Sequence, residues 1–191
     1  FVLSGGVALA SGRGEQLDHL RISINAVVIV VAPRVAIPAK TATLYRNLKT
    51  GDFSDGQTVS RVFDALKAGV NPEPDALRNA FERPLYERVP WLREIPTAMR
   101  SFGASHIGLS GAGPAHYALE TDTERAAALG KSLAEWFGES ASVSVSRVLS
   151  HGALVDLAND EIGIGEWFER IDPTTGSARS SKFDHNMPKA V

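Results

Sequence analysis

Residues 106–119, HIGLSGAGPAHYAL, place a glycine-rich loop between two apolar runs that predict strands. The loop, SGAGP at residues 110–114, carries almost no side-chain atoms. Successive backbone N–H groups in such a loop can cradle an anion, with the Ser110 hydroxyl as a further donor. The same pattern is also typical of a β-hairpin turn that binds nothing. Neither a Walker A motif nor a G-x-G-x-x-G motif is present in it.

A second candidate segment is IPAKTATLYR at residues 37–46, directly after the most apolar run of the chain. Loops at strand ends are common binding sites. Thr41 offers a hydroxyl group, and Tyr45 offers an aromatic face on which a flat base could stack. The alternative interpretation is a short helix with Tyr45 half inside the core.

The histidines favour no metal site. No two of them share a metal-ligand spacing such as His-x-x-x-His. Only His106 and His116 flank one turn, where they could face each other across two strands. The five are His19, His106, His116, His151 and His185.

The carboxylates give little indication of a catalytic acid or base. Four of them fall on polar helix faces, where solvated surface is expected: Asp64, Glu87, Glu94 and Glu124. Glu82 lies closer to an apolar stripe, which favours a structural hydrogen bond over a general base. The serine-glycine pieces also lack the strand-turn-helix context of a hydrolase nucleophile.

Composition narrows the function classes. The 191 residues have a net charge of −2, a 43% apolar fraction and no cysteine. Disulfides, thiolate chemistry and cysteine-ligated metals are excluded, and the charge gives no argument for nucleic acid or an anionic membrane. The longest apolar run, residues 26–32, is too short to span a bilayer, and no signal peptide is evident. We therefore expect a cytoplasmic protein with no nucleic-acid or membrane partner.

Several short strands are predicted. Residues 1–15 predict two strands around Gly5-Gly6, closed by Gly12 and Gly14. The β-branched run at residues 24–33 predicts a strand buried on both faces that ends at Pro33. The remaining predicted strands are residues 105–110, 115–120 and 142–150.

Residues 41–48 predict a short helix, and the helical spacing of apolar residues predicts four more. The first two of these span about residues 59–66, with a stop at Gly69, and residues 75–89, with a kink at Pro84. The last two span residues 90–103, between Pro90 and Gly103, and residues 121–138, between the capping box Thr121-x-x-Glu124 and Gly138. The whole order matches the βα-ββ-αβ rhythm of a ferredoxin-like α+β fold, with extra helices in the first crossover.

Four segments occur in the order and spacing of a known family: FVLSGGVALASGRGE, VVIVVAPRVAIPAKTATLYR, LRNAFERPLYERVPWLREI and LSGAGPAHYAL. Over roughly residues 1–148 the chain resembles the 4-diphosphocytidyl-2-C-methyl-D-erythritol kinase family of GHMP small-molecule kinases. The resemblance implies an enzyme of non-mevalonate isoprenoid precursor synthesis that uses ATP and Mg²⁺. Its substrate would be a cytidine diphosphate compound, phosphorylated on the 2-hydroxyl group. It also implies a ferredoxin-like C-terminal domain, in agreement with the predicted element order.

The resemblance also implies a domain organisation. The family's ATP loop, catalytic Lys and catalytic Asp belong to an N-terminal domain, and none of them is found in this chain. Residues 1–22 would be a remnant hairpin of that domain, residues 23–150 the C-terminal domain, and residues 151–191 a poorly ordered tail. We expect these 191 residues alone to be inactive, with ATP and Mg²⁺ bound mainly by the missing domain. We also expect self-association through the strand edge near residues 1–9.

Site residues follow from the matching segments. KTATLYR resembles the family's STAEVYR, so Thr41 and Tyr45 would hydrogen-bond to the cytosine and stack on it. LSGAGPA matches the family's third glycine motif, which supports the phosphate loop of the other domain. The residues in that role would be Ser110, Gly111, Ala112 and Gly113, and Ala112 replaces a common Ser or Thr.

A third segment, RNAFE, matches the family's Asn-Asp-Phe/Leu-Glu. Asn79 and Glu82 would lie near the domain interface with a mainly structural role, and Ala80 departs from the usual Asp. Two alternatives stay open. Another GHMP kinase, for mevalonate, homoserine or a sugar, would share the fold without the cytidine pocket. A non-catalytic ferredoxin-like ligand-binding domain would be favoured by a gene that starts at Phe1.

Overall fold

A computed structural model describes residues 7–20, 22, 25–148, 169–171 and 178–180. An N-terminal hairpin joins β1 (Val7–Ser11) to β2 (Gln16–Leu20). The larger sheet contains β3 (Val27–Pro33), β4 (His106–Leu109), β5 (His116–Glu120), β6 (Ala141–Arg147), β7 (Glu169–Ile171) and β8 (Ala178–Ser180). The helices are α1 (Lys40–Arg46), α2 (Gln57–Lys67), α3 (Glu82–Arg88), α4 (Glu94–Ser101) and α5 (Thr123–Phe137). Short 3₁₀ turns span Thr50–Asp52, Pro74–Ala76, Pro90–Arg93 and Gly138–Ser140.

The strand order of the larger sheet is β4-β5-β3-β6-β7-β8, and every pair in it is antiparallel. The first four strands form the ferredoxin-like arrangement, in which β3 lies between β5 and β6. Helices α1 to α4 all occupy the crossover from β3 to β4. The predicted fold class is thus confirmed, including the extra helices in the first crossover.

The prediction that β3 is buried on both faces was wrong for one face. Val27, Ile29 and Val31 are buried, whereas Val28 and Val30 are half-buried. Helix α5 packs on β3 and β6, and α4 packs on β4 and β5, so the helices cover the sheet and bury Ile29 and its neighbours. A run of β-branched residues does not reveal this alternation, because both faces carry the same residue types.

Helix α3 is shorter than predicted. It begins at Glu82, and residues 75–81 form a 3₁₀ turn and loop instead of a first helical half. Pro84 is therefore the third residue of the helix and produces no mid-helix kink. An N–H group at that position has no partner within a helix, so a proline is tolerated there.

The ends of the other helices test the cap predictions. The N-cap of α5 is Asp122, not Thr121, and one carboxylate oxygen accepts from the N–H groups of Glu124 and Arg125 at 2.8 and 3.0 Å. The predicted end of α4 at Gly103 is confirmed. Gly103 has φ +97°, and its N–H donates to the Arg100 carbonyl at 2.9 Å.

The termini differ in part from the sequence expectation. Gly12 and Gly14 form the turn of the β1–β2 hairpin, and β2 was not predicted. The predicted strand before Gly5-Gly6 lies outside the described residues. Strands β7 and β8 pair next to β6 within residues 151–191, and the rest of that segment also lies outside them. In the described part of the chain, no helix is both long and apolar enough to cross a membrane.

Candidate functional site

The glycine loop closes the β4–β5 hairpin. The N–H of Ser110 donates to the Ala115 carbonyl at 2.9 Å, and the N–H of Gly113 donates back to the Ser110 carbonyl at 2.8 Å. Gly111 and Gly113 have φ values of +53° and +66°, a region that disfavours other residues. The hairpin turn expected from the sequence is therefore present, and the glycines are needed for its backbone path.

Side chains from two other segments hold the carbonyl groups of this loop. The Asn79 amide donates to the carbonyls of Leu109 and Gly111 at 2.9 and 2.8 Å, and its own oxygen accepts from the Phe81 N–H at 2.9 Å. The Lys40 ammonium donates to the carbonyl of Gly113. These contacts occupy the carbonyls of Leu109, Gly111 and Gly113.

Two backbone donors of the loop have no hydrogen-bond partner in the part of the chain that surrounds it. Within residues 25–148, no backbone or side-chain acceptor pairs with the N–H of Gly111 or Ala112. Ser110 and Gly111 are exposed, and a Cβ atom placed on Gly111 would meet nothing within 4 Å. Adjacent free N–H groups on an exposed loop can accept an anion without rearrangement.

Helix α1 presents the other predicted residues. Leu44 is fully buried and fixes the helix on the core, which leaves Thr41 and Tyr45 exposed one turn apart. The Tyr45 side chain is 61% exposed, and its ring meets Phe81 edge-on with a centroid distance of 4.9 Å. Tyr45 is thus not sealed in the core, and most of its side chain is accessible.

Lys40 joins this helix to the glycine loop. It is the first residue of α1, next to Thr41, and its contact with Gly113 spans 73 residues of chain. The structure therefore brings the Thr41–Tyr45 segment and the glycine loop together. Sequence reasoning missed Lys40, because a lone lysine in a loop gives no signal of its partner.

Arg83 holds the far end of α1. Its guanidinium donates to both carboxylate oxygens of Asp52 at 2.6 Å, to the Asn47 carbonyl at 2.6 Å and to Glu87 at 2.7 Å. The hydrogen bond from Arg83 lowers the pKa of Asp52 to about 2. Such a bidentate pair requires an arginine, since lysine lacks the planar fork.

A buried pair lies behind the loop. His116 is 1% exposed; one ring nitrogen, Nδ1, is 3.0 Å from the Pro114 carbonyl, and the other, Nε2, is 2.7 Å from the Tyr86 hydroxyl. A carbonyl only accepts, so Nδ1 carries the proton and Nε2 accepts from the hydroxyl of Tyr86. Burial lowers the pKa of His116 to about 4, and burial raises the pKa of Tyr86 to about 12.

The two hairpin histidines do not face each other. His116 is opposite Leu109 on the buried face, while His106 is opposite Leu119 on the other face and lies 3.1 Å from the Pro72 carbonyl. The register of the two strands places these histidines on opposite faces, and the sequence of the turn does not reveal that register. No cluster of three or more potential metal-ligating side chains occurs among the residues the structure describes.

The RNAFE residues occupy two different places. Asn79 braces the glycine loop, a link across 32 residues that the motif did not indicate. Glu82 begins α3 and lines a cavity beside Tyr86 and His116, where burial raises its pKa. Ala112 is half-buried and packs against the core.

Comparison with known proteins gives one domain match and several relatives. Residues 58–139 match the family model for the GHMP kinases C terminal domain. The 4-diphosphocytidyl-2-C-methyl-D-erythritol kinase of Dehalococcoides mccartyi is 32% identical over 127 residues, which is 66% of this chain and 44% of that protein. The kinase of the same name from Bacillus cereus is 32% identical over 62% of this chain and 40% of that protein.

Two solved kinase structures are similar to this chain in fold. A 4-(cytidine 5'-diphospho)-2C-methyl-D-erythritol kinase structure has a TM-score of 0.56 at 27% identity, covering 72% of this chain and 48% of that one. A homoserine kinase from Cytophaga hutchinsonii has a TM-score of 0.59 at 19% identity, covering 78% and 50%, and shows the fold alone. The chain spans less than half the length of the Dehalococcoides and Bacillus kinases. The domain match over residues 58–139, the relatives and the ferredoxin-like sheet agree that this chain contains a GHMP kinase C-terminal domain.

Proposed function

We propose that this chain is the C-terminal domain of a kinase that transfers a phosphoryl group from ATP to the 2-hydroxyl of 4-diphosphocytidyl-2-C-methyl-D-erythritol. In this role Tyr45 stacks on the cytosine and Thr41 hydrogen-bonds to it. The loop formed by Ser110, Gly111, Ala112 and Gly113 supports the nucleotide phosphates. An N-terminal kinase domain supplies the ATP loop, the catalytic lysine and aspartate, and the ligands for Mg²⁺.

The observation that carries the proposal is the link from α1 to the glycine loop through Lys40 and Gly113. It ties an exposed aromatic ring to a loop that has two free N–H donors. Phosphoryl transfer needs positioning and stabilisation of negative charge more than covalent chemistry. A cytidine held on α1 would use binding far from the reacting hydroxyl to fix its position.

The relatives support the choice of acceptor. Two of them at 32% identity, and one solved structure at 27%, bear the name of this cytidine-linked kinase. The homoserine kinase structure is similar in fold only, so it supports no competing acceptor.

The test is an assay of phosphoryl transfer from ATP with three acceptors: 4-diphosphocytidyl-2-C-methyl-D-erythritol, mevalonate and homoserine. It is run with these 191 residues and with the complete coding sequence of the gene. We expect transfer to the cytidine acceptor alone, and only from the complete protein. Turnover by the 191 residues alone, or a preference for another acceptor, would refute the proposal. Binding of CDP by this chain is expected even without turnover.

A further inference from the structure

A cavity of about 240 Å³ lies between α3, α4 and the β4–β5 hairpin. The proposed kinase chemistry uses none of its charged groups. Apolar residues of α4 and β4 form part of the wall, and six polar or aromatic side chains line the rest. Those six are Glu82, Tyr86, Arg93, Thr97, Arg100 and His116.

The cations of this cavity share one helix face. Arg93, Thr97 and Arg100 are four and three residues apart, so their side chains lie in a row along α4 and the residue before it. Among the residues the structure describes, neither guanidinium forms an ion pair with a carboxylate. Arg93 lies 5.3 Å from the centre of the Tyr86 ring, which holds its guanidinium at the cavity by a cation–π contact.

Glu82 is the cavity's negative group. It is half-buried at the first position of α3, and burial raises the pKa of its carboxyl while Arg78 and Arg100 oppose that rise. Two arginines and one glutamate leave an excess of positive charge at the wall. A carboxylate at this position can accept a hydrogen bond from a hydroxyl group.

His116 lines the cavity but has no ring nitrogen free to bind a ligand. Both of its ring nitrogens are engaged, one with Pro114 and one with Tyr86, so it offers no lone pair to a metal or a ligand. The Thr97 hydroxyl donates to the Arg93 carbonyl at 2.8 Å, so toward the cavity it can only accept. The donors that remain at this wall are the two guanidinium groups.

We propose that this cavity binds a small hydroxylated organic anion, whose phosphate or carboxylate pairs with Arg93 and Arg100 and whose hydroxyl donates to Glu82. Guanidinium groups bind both anions through paired N–H donors. The aliphatic part of the ligand packs on Ile107 and Leu109. The site is separate from the glycine-loop donors, because none of residues 110–113 lines the cavity.

The test is a ¹⁵N NMR titration of this chain at constant ionic strength. The probes are glycerol 3-phosphate and glycerate, which carry both an anionic group and a hydroxyl group. Inorganic phosphate, which supplies only the anion, and glycerol, which supplies only hydroxyl groups, are the controls. We expect the two hydroxylated anions to bind more tightly than phosphate, and glycerol not to bind. The shifted amides should be those of Thr97 and Gly108. The ratio of the glycerol 3-phosphate and glycerate affinities identifies which anion the site prefers.

Variants distinguish binding at this cavity from a general effect of the net charge of the protein. Arg100→Met should weaken binding of glycerol 3-phosphate about tenfold, as expected for one charged hydrogen-bond pair. Arg61→Met, which removes an equal charge from the exposed face of α2, should leave it unchanged. Glu82→Gln should leave affinity equal or higher, because the amide oxygen still accepts and the repulsion is gone.

Three results would overturn the proposal. One is equal weakening by Arg100→Met and Arg61→Met. Another is a set of shifts centred on Gly111 and Ala112, which would assign the anion to the glycine loop. The third is the absence of binding by every probe at millimolar concentration. Arg93→Met repeats the test if Arg100→Met does not give a folded spectrum, and it should also weaken binding.

Discussion

Asn79 and Gly111 are joined by a 2.8 Å hydrogen bond from the side-chain amide to the backbone carbonyl, across 32 residues of chain. The same amide also holds the carbonyl of Leu109 at 2.9 Å. One side chain from the loop before α3 therefore spans the mouth of the β4–β5 hairpin. The loop conformation therefore depends on this residue as well as on its own glycines.

Asn79→Ala should lower the free energy of unfolding by about 2 kcal/mol, because it removes both donors and leaves a half-buried carbonyl without a partner. Urea denaturation measures the loss. Asn47→Ala is the control, since the Asn47 amide is exposed and bonds only to the preceding turn, at Thr43. It should change stability by less than about 0.5 kcal/mol. Equal losses in the two variants would contradict the role assigned to Asn79.

Gly113→Ala and Gly111→Ala form a matched pair. Both positions have positive φ, which costs a residue with a Cβ about 1–2 kcal/mol. At Gly113 the new Cβ would also lie 2.7 Å from Leu85 and 2.9 Å from Leu109, whereas at Gly111 it meets open space. We expect Gly113→Ala to be less stable than Gly111→Ala by about 1–3 kcal/mol. Thermal unfolding midpoints check the order of the two stabilities. Equal midpoints would show that the side chains around Leu85 move to make room for the new Cβ atom.

Tyr45→Leu should weaken binding of CDP about tenfold, because stacking on one base contributes about 1–3 kcal/mol. Calorimetry with this chain measures the affinity. Phe53→Leu is the control, since Phe53 is 60% exposed and Tyr45 is 61% exposed. The control should bind CDP like the parent chain. If both variants bind equally well, α1 is not the cytidine site.

His116 should make the protein less stable at acid pH. Burial lowers its pKa from 6.5 to about 4, so the unfolded chain takes up a proton there before the folded chain does. The stabilisation is complete above pH 6.5 and is lost as the pH falls towards 4, by a total of roughly 3 kcal/mol. Denaturation of the parent chain and of His116→Gln at about pH 7.5 and about pH 5, on either side of the unfolded pKa, measures the difference.

The variant should lose less stability than the parent chain over that interval. An equal loss would show that other groups carry the acid sensitivity. As a separate check, the NMR shifts of the His116 ring should be those of a neutral imidazole at about pH 5.5, below the usual histidine pKa.

Local features of this protein were readable from sequence alone. Gly103 ends α4 as predicted, since a residue with positive φ is needed there and the apolar spacing stops before it. The strand and helix order led directly to the ferredoxin-like arrangement. Thr41 and Tyr45 share one helix face because their four-residue spacing is one helical turn, whereas the exposure of that face was left open by the sequence. These features depend on neighbours within a few residues, so local patterns carry them.

Other features needed the register of distant segments. The register of β4 and β5 places His106 and His116 on opposite faces of the hairpin. Helix α3 begins at Glu82, so Pro84 lies in its first turn and does not kink the helix. Sequence patterns assign residue types to elements, but they do not state which residue lies opposite which. A one-residue shift of a strand reverses every side chain on it.

The amino-acid sequence therefore determined the kind of protein this is: an α+β domain with a bare glycine loop and a short helix that carries Thr41 and Tyr45. Only the tertiary structure decided what holds that loop, namely Lys40 from α1 and Asn79 from the loop before α3. The reason is physical. Backbone carbonyls look alike in sequence, so the partner of each is chosen by packing that brings residues 30 to 73 positions apart into contact.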